Sequence, residues 1–476
     1  MPDGLPQSHF FAGGASQSIL SPAITILLVI LCISLLTLPR KYLIIPFLSG
    51  AFLIWLSAQV YFLGVHWLVL RILILIAALR VVLSTAKEDD NPSRFGGGFT
   101  EIDRVFLLCI LTQAVCVVLL FRQVEALVNQ FGFLIDFVGG YFVIRFMVRD
   151  KSDLYRALKC LAVLSAVLAI GMVIEQLRLI NYFALVAGIE RSPDIREGKI
   201  RSQGVFQHAI PAGTVAATWI PLFILLWRNG KSKLLAGVGL ISGTVMTVTS
   251  QSSTPLLAYA ASVLALCLWP VRAKMKMIRR GLVAAVLVLA LVMKAPVWFL
   301  IARIDLTGGS SGYHRAEIVD QFIRHFWDWW LIGVKDTSQW GWDMWDVQNQ
   351  YVAIGESGGL LGFCLFIAVV HHLYVRLGNN RKRIEGDKDQ EWFIWLLACA
   401  LFSNTLAFIG VNYFDQSRIS WFLIVAIICA TVHSAPGKVS AAPISSPLRR
   451  GLGNIRQDAT AEPAFRRARN LQPSSE

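Results

Sequence analysis

Four basic side chains fall within one short polar stretch, residues 191–208, between two apolar segments. They are Arg191, Arg196, Lys199 and Arg201. An arginine presents a planar fork that matches the oxygens of a phosphate. The stretch, and Arg201 in particular, therefore predicts a site for an anionic group such as a pyrophosphate. The alternative is a solvated loop in which Asp194 and Glu197 pair locally with these cations.

A second candidate group, Tyr313-His314-Arg315, lies near the start of the longest polar segment, residues 303–359. Residues 317–330 plot as a helix with one aromatic and one charged face, and such a helix between two membrane spans lies flat at the bilayer interface. If the helix extends back to Arg315, that side chain is expected to reach a lipid headgroup or a protein cavity. The alternative is a packed lid helix with Arg315 as a snorkelling anchor. Arg303 flanks the entrance of the same expected cavity.

The third group, Gln348-Asn349-Gln350-Tyr351, opens an apolar segment. The first N–H groups of a helix carry partial positive charge and attract anions. The glycine-rich residues 355–362 that follow allow close approach of a neighbouring helix. Glu356 lies within this segment, where a carboxylate is costly unless it is paired. It is therefore a candidate site residue, with structural pairing to an arginine as the alternative.

The elements that must position these groups are apolar. The chain has 476 residues, of which 55% are hydrophobic and 16% charged, and its mean hydropathy is +0.59. These values predict an all-α polytopic membrane protein with about 12–13 transmembrane helices and a long loop that contains an amphipathic helix. The candidate spans are residues 20–37, 42–61, 65–84, 104–121, 131–148, 157–177, 211–227, 234–250, 255–270, 281–301, 351–375, 392–411 and 419–434.

The predicted organisation is a polar N-terminal segment at residues 1–18, a transmembrane domain at 19–434 and a basic, disordered tail at 435–476. Lysine and arginine concentrate in this tail and in short loops between spans, all of which fall on one side, the predicted cytoplasmic side. The opposite, external side then carries two long loops, residues 178–210 and 302–350.

The net charge of +14 is explained by these loops and the tail, so a nucleic-acid partner is not predicted. The eight cysteines lie in apolar segments without the spacing of metal ligands. The sequence has no P-loop and no Ser-His-Asp signature. We therefore predict no cofactor and no metal, and any catalysis is expected to act through positioning and charge stabilisation.

In this order and on this topology, the three groups resemble the O-antigen ligase and O-antigen polymerase superfamily of bacterial envelopes. The resemblance covers residues 200–375 and is carried by Arg201, Gly204, Phe206, His208, Arg315, Asn349, Tyr351, Glu356, Gly359 and Gly362. It implies a multi-pass protein of the bacterial inner membrane, with the long loop periplasmic and the C-terminus cytoplasmic. The implied activity is glycan transfer from a polyprenyl-pyrophosphate-linked oligosaccharide to a glycan or lipid acceptor.

The resemblance further implies that Arg201 and Arg315 bind the pyrophosphate and that neighbouring polar side chains contact the substrate. These further contacts are Arg303, His208, Gln348, Asn349 and Tyr351. The sequence departs from the superfamily in two places. The turn at residues 250–254 lacks the usual arginine, and Gln348 stands where ligases commonly place histidine.

Glutamine cannot act as a general base, so this second departure leaves the base open. Either the role falls to His314, Asp343, Asp346 or Glu356, or deprotonation is not the critical step. Polymerase and ligase activity both stay possible.

Two rival functions remain open at this stage. A transporter or flippase for the same lipid-linked saccharide predicts charged residues along a path through the middle of the membrane, and Asp136 and Glu175 are the candidates for such a path. A non-catalytic scaffold for envelope assembly predicts neither transfer nor translocation.

Overall fold

Helices dominate the chain because an apolar segment in a bilayer must satisfy its own backbone hydrogen bonds. The computed structural model describes residues 18–62, 64–85, 94–230, 232–303 and 312–432. Its helices are α1 (Pro22–Thr37), α2 (Ile44–Leu53), α3 (Val69–Thr85), α4 (Glu101–Phe121), α5 (Val124–Leu134), α6 (Gly140–Met147), α7 (Lys151–Arg178), α8 (Tyr182–Ala187), α9 (Ala209–Asn229), α10 (Lys233–Thr249), α11 (Ser253–Cys267), α12 (Met275–Val292), α13 (Gly312–Arg324), α14 (Phe326–Trp329), α15 (Gln350–Arg383), α16 (Lys388–Ala407) and α17 (Ser417–Thr431). The predicted segments at residues 1–18 and 435–476 lie outside the described residues, apart from Ser18.

Five helical segments in the described part of the chain are long and apolar enough to cross a membrane. They are Glu101–Phe121, Val124–Met147, Lys151–Arg178, Ala209–Asn229 and Gln350–Arg383. A sixth span is possible if Trp269–Val292 and Val297–Arg303, which meet at 94°, are counted as one. Each predicted span contains a helix, so the helical, multi-pass character of the chain holds. The number of spans and their orientation stay predictions.

Two short antiparallel hairpins accompany the helices of this all-α fold. The predicted span at residues 42–61 is helical only as far as Leu53, and β1 (Gln59–Phe62) pairs with β2 (Val65–Leu68). The physical reason is local composition, since valine and aromatic residues favour a pleated strand over a helix. The second hairpin joins β3 (Ile195–Arg196) to β4 (Lys199–Ile200) within the basic stretch.

The glycine-rich segment of α15 packs against α4. A β-carbon at Gly358 would lie 2.8 Å from the Gln113 side chain, so glycine is what permits this close approach. At Gly359 the helix is broken by a φ of 61° and ψ of −166°, a combination that is essentially restricted to glycine. The Leu360 N–H, freed by this break, donates to the Trp330 carbonyl at 2.8 Å. The long polar loop is thereby fastened to α15.

The amphipathic helix differs from its prediction in extent and in surroundings. It is α13, Gly312–Arg324, and a separate turn, α14, follows it. The Trp329 indole N–H donates to the Phe322 carbonyl at 2.8 Å, occupying the acceptor that a continuous helix would offer to the N–H of Phe326. The aromatic face packs against α15, where the Phe322 ring lies against Gly355. This packing favours the lid-helix alternative over a helix lying flat on the bilayer.

One polar residue on α13 is buried, contrary to the prediction of a charged face. Asp320 was expected on the charged face, yet it is only 7% exposed. It accepts hydrogen bonds from the indole N–H of Trp298 at 3.1 Å and from Nε of Arg324 at 2.6 Å. These bonds compensate the carboxylate for its lost hydration and join α13 to the 3₁₀ segment Val297–Arg303.

Candidate functional site

Two adjoining chambers lie where the basic stretch, the long loop and the start of α9 meet. The first chamber has a volume of about 410 Å³ and the second about 500 Å³. Residues from three separate parts of the chain border both chambers: Arg201, Ile210, Asp346 and Gln348. The structure therefore brings the first and third predicted groups together, although about 145 residues separate them in sequence.

Arg201 is placed by the short hairpin that precedes it. Its backbone N–H donates to the Asp194 carbonyl at 2.8 Å, and its Nη1 lies 3.3 Å from Asp194 Oδ2. The side chain is 12% exposed while that of Asp194 is 34% exposed, so the pair is asymmetric. Burial lowers the pKa of Arg201, and the nearby Arg196 adds to this effect while Asp194 opposes it. The predicted local pairing thus exists, but it leaves Arg201 bordering both chambers.

Arg315 lies in the first turn of α13 and is 5% exposed. A β-carbon at Gly410 would be 3.4 Å from its Nε, so the guanidinium packs beside Gly410, which lines the first chamber, although Arg315 itself lines neither chamber. Within the described part of the chain it has no hydrogen-bond or ion-pair partner, and its Nε is buried. Burial, together with Arg196 and Arg201, lowers the pKa of Arg315 to about 10, and Asp346 opposes this. The group stays protonated at neutral pH.

Asp346 is the centre of a small polar cluster. Its Oδ2 accepts a hydrogen bond from Nε2 of Gln348 at 2.5 Å, and its carbonyl oxygen lies 3.4 Å from Nε2 of His314. His314 lines the second chamber and Gln348 lines both. The Gln348 position, occupied by histidine in the resembling ligases, here orients a carboxylate that can accept a proton.

Glu356 lines the first chamber from within α15. Among the described residues, no arginine lies within ion-pair distance of its carboxylate, so the predicted alternative of a structural pair is wrong for this part of the chain. Its backbone carbonyl accepts the Val334 N–H at 2.9 Å and helps to hold the long loop. The break at Gly359 leaves this part of α15 beside the chamber.

His208 borders the first chamber at the start of α9. Its ring packs edge-on against Phe414, with 6.0 Å between the ring centroids. This contact orients the imidazole toward the same space that Arg201 and Gln348 border.

Besides Arg315, three predicted substrate contacts do not line either chamber. Asn349 caps α15 by accepting the N–H groups of Tyr351 and Val352, and its amide donates to the Ile409 carbonyl at 3.1 Å. The Tyr351 hydroxyl donates to the Thr405 carbonyl at 2.8 Å. Both residues thus dock α15 onto the end of α16. Arg303 is exposed at the end of the 3₁₀ segment.

Sequence reasoning missed the loop between α16 and α17. Gly410, Val411, Asn412 and Phe414 line the first chamber, and Asp415 beside them is fully buried. Burial raises the pKa of Asp415, while hydrogen bonds from Ser417 and the positive fields of Arg418 and His208 oppose the rise. The sequence feature that could have indicated this part of the chamber is the polar run Asp415-Gln416-Ser417-Arg418 between two apolar segments. The same run is equally typical of a short solvated turn.

The described residues contain no group of three or more His, Cys, Asp or Glu side chains that could hold a metal ion. No known family model matches the chain, and no curated protein is significantly similar to it. The functional argument therefore depends on the geometry of the two chambers.

Proposed function

We propose that this protein transfers a saccharide from a polyprenyl-pyrophosphate carrier to an acceptor hydroxyl, as a polymerase or ligase of a bacterial envelope polysaccharide. The reaction takes place at the periplasmic face of the inner membrane. The chambers open on that face, the long loop is periplasmic and the C-terminal tail is cytoplasmic, as the positive-inside distribution of basic residues indicates.

The observation that carries this proposal is the convergence of three arginines at chambers that are otherwise lined by acids, with one of the three buried and without an ion-pair partner. Arg196 and Arg201 line the second chamber, and Arg315, which lines neither chamber, packs beside Gly410 of the first and within the electrostatic influence of both arginines. Asp194 pairs with Arg201, but Arg315 has no ion-pair partner in the described part of the chain. A buried, unpaired guanidinium is unfavourable unless an anion joins it. A diphosphate supplies several charged oxygens within reach of more than one arginine.

The transfer step moves one glycosyl group. The acceptor oxygen forms a bond to the anomeric carbon of the donor sugar, and the bond from that carbon to the pyrophosphate oxygen breaks. The bonding electrons leave with the pyrophosphate oxygen, where Arg201 and Arg315 stabilise the new charge. The acceptor proton passes to a carboxylate, and polyprenyl pyrophosphate is the second product.

Asp346 is the best placed proton acceptor. It borders both chambers, and the Gln348 amide fixes the position of its carboxylate. His314 contacts the Asp346 backbone and lines the second chamber, so it is suited to orient the acceptor. Glu356 borders the first chamber alone and is the alternative base.

The resemblance to the O-antigen ligase and polymerase superfamily adds support to this proposal. Three of the matched positions border the first chamber, namely Arg201, His208 and Glu356. Others, Asn349 and Tyr351, shape the start of α15. The glutamine at position 348 departs from the ligases, and the proposal accommodates it by assigning the base role to Asp346.

The test uses the purified full-length protein in lipid nanodiscs with a polyprenyl-pyrophosphate-linked oligosaccharide and an acceptor glycan. Wild type is expected to extend or transfer the glycan. Arg201→Ala and Arg315→Ala should each lower the rate by roughly 100-fold or more, because each removes charge stabilisation at the leaving group. Arg315→Lys should retain part of the rate, since it keeps the charge and loses the planar fork.

Arg104→Ala is the matched control. This exposed arginine pairs with an acid, Glu101, as Arg201 does with Asp194, but it lines neither chamber. Its rate should equal that of wild type. A normal glycan yield from the Arg201→Ala/Arg315→Ala double variant would rule out the mechanism, and an inert wild type would favour the scaffold alternative.

A transporter would need charged groups free to face a path through the membrane. Asp136 instead binds Arg71 at 2.9 Å and Arg418 at 3.3 Å. Glu175 accepts the backbone N–H groups of Gln203 and Gly204 at 3.1 and 2.9 Å. Both acids are therefore accounted for by partners that hold the fold, which favours the transferase.

A further inference from the structure

Residues 340–345 of the long loop divide into two sets. Trp340 and Met344 are buried, at 5% and 2% exposure, in the apolar cluster that joins the loop to α15. Trp342 and Trp345 are 91% and 61% exposed. A tryptophan held in water forgoes a large gain in burial free energy. The outward position of these two indoles therefore needs a physical explanation.

The backbone beside Trp342 is irregular. Gly341 has φ 156° and ψ −172°, a conformation that glycine adopts without strain, and Asp343 has a left-handed φ of 60° although it carries a side chain. A left-handed residue with a side chain costs of order 1–3 kcal/mol and persists where the surrounding structure enforces it. The turn at Asp343 separates the exposed Trp342 from the buried Met344.

Both indoles border the chambers beside acidic groups. Trp345 lines the first chamber with Asp346, and Trp342 lines the second chamber with Asp343 and Glu317. Tyr313, which is 62% exposed, borders the second chamber as well. The rim thus combines flat aromatic faces with carboxylate acceptors.

A different set of exposed aromatics in the loop has the surroundings of a membrane anchor. Trp327 and Trp330 lie edge to face with centroids 6.0 Å apart, next to the exposed Leu331. None of these residues lines either chamber. Indoles with an exposed leucine suit the headgroup region of a bilayer, where the charged Asp328 between them can stay hydrated. Trp342 and Trp345 differ because they line the chambers.

We propose that Trp342 and Trp345 form a carbohydrate-binding subsite that holds the saccharide at the rim of the two chambers. This inference rests on the proposed function, because it places the sugar while the arginines place the pyrophosphate. One face of a pyranose ring is made of C–H groups that pack on the negative face of an indole. The sugar hydroxyls at the ring edge donate to Asp343 and Asp346.

The experiment separates the sugar from its lipid carrier. The probe is the soluble oligosaccharide released by mild acid from lipid-linked oligosaccharides of cells that produce this protein. Its binding to the full-length protein in nanodiscs is measured by saturation-transfer NMR. Trp342→Ala/Trp345→Ala should bind it roughly tenfold more weakly than wild type. Trp327→Ala, an equally exposed control outside the chambers, should bind it as wild type does.

A second measurement uses polyprenyl pyrophosphate without sugar. Its affinity should be unchanged in the tryptophan double variant and reduced in Arg315→Ala. If the protein binds the oligosaccharide through the two tryptophans but transfers no glycan, the subsite is supported and the transferase function is excluded. Oligosaccharide binding that is unaffected by the double variant would overturn the subsite. The subsite would also be overturned if brominated acyl chains quench the tryptophan fluorescence of wild type more strongly than that of the double variant. That result would place the two indoles in the bilayer.

Discussion

Replacing Arg315 by methionine should stabilise the protein and at the same time weaken its binding of the pyrophosphate. Arg315 is 5% exposed, packs beside Gly410 and has no ion-pair partner among the described residues. A protein that keeps such a group gives up stability for a function that requires the charge. Methionine is apolar, unbranched and flexible, so it can fill the same space without a charge.

The size of the effect follows from the pKa of Arg315, which burial lowers from the ordinary value of an arginine to about 10. At 1.36 kcal/mol for each tenfold change in the proton equilibrium, the folded state carries a penalty of roughly 3 kcal/mol for the charged form. Because the lowered pKa belongs to a base, the penalty is complete below about pH 10. It disappears as the pH rises from about 10 to the ordinary pKa of an arginine.

The assay is thermal unfolding of the detergent-solubilised protein at pH 7.5, with and without polyprenyl pyrophosphate. Arg315→Met should have a Tm higher than wild type by a few degrees, of the order expected for 1–3 kcal/mol. The ligand should raise the Tm of wild type by mass action and raise that of Arg315→Met by less. Arg315→Lys is the control that retains the charge, and it should show no gain in the absence of ligand.

A lower Tm for Arg315→Met than for wild type would refute the reasoning. It would mean that native contacts stabilise the guanidinium, so that its burial carries no free-energy penalty for an anion to offset. An equal ligand-induced shift in wild type and Arg315→Met would separately exclude Arg315 from the pyrophosphate site.

Two further predictions concern the loops that build the chambers. Gly359→Ala should destabilise the protein by about 1–3 kcal/mol, because its φ of 61° suits glycine and a β-carbon would lie 2.6 Å from the Leu331 carbonyl oxygen; limited proteolysis should then cut the long loop faster, and an unchanged cleavage rate would contradict the fastening role of this break. Asp415→Asn should raise the Tm at pH 7.5, because burial raises the pKa of Asp415 and so penalises its charged form. This gain should shrink as the pH falls toward the ordinary value of 3.8, below which both states are protonated, and a gain that is independent of pH would be against the argument.

The chambers themselves were only partly predictable. Arg201, His208, Arg315 and Gln348 were identified from residue type and order along the chain, and the structure brings them to one region. Asn349 and Tyr351 belong to the same local motif, yet they turn away to dock α15. A motif specifies which residues are neighbours in sequence, but the direction of each side chain is set by the helix phase and by the partners it meets.

The loop between α16 and α17 likewise could not be predicted from its local sequence. Asp415 sits in a short polar run that looks like a solvated turn, and the fold buries it completely beside the first chamber. Burial is a property of what packs around a residue, so no local pattern could have distinguished these two outcomes.

The helical membrane class followed from the sequence alone, because hydropathy and backbone hydrogen bonding act over one segment at a time. Close packing at Gly358 was likewise implied by the absence of a side chain. The tertiary structure decided the rest. It turned the aromatic face of α13 onto α15 and left Trp342 outside while Trp340 went in. Both results depend on contacts between residues distant in sequence, whose energies no single segment contains.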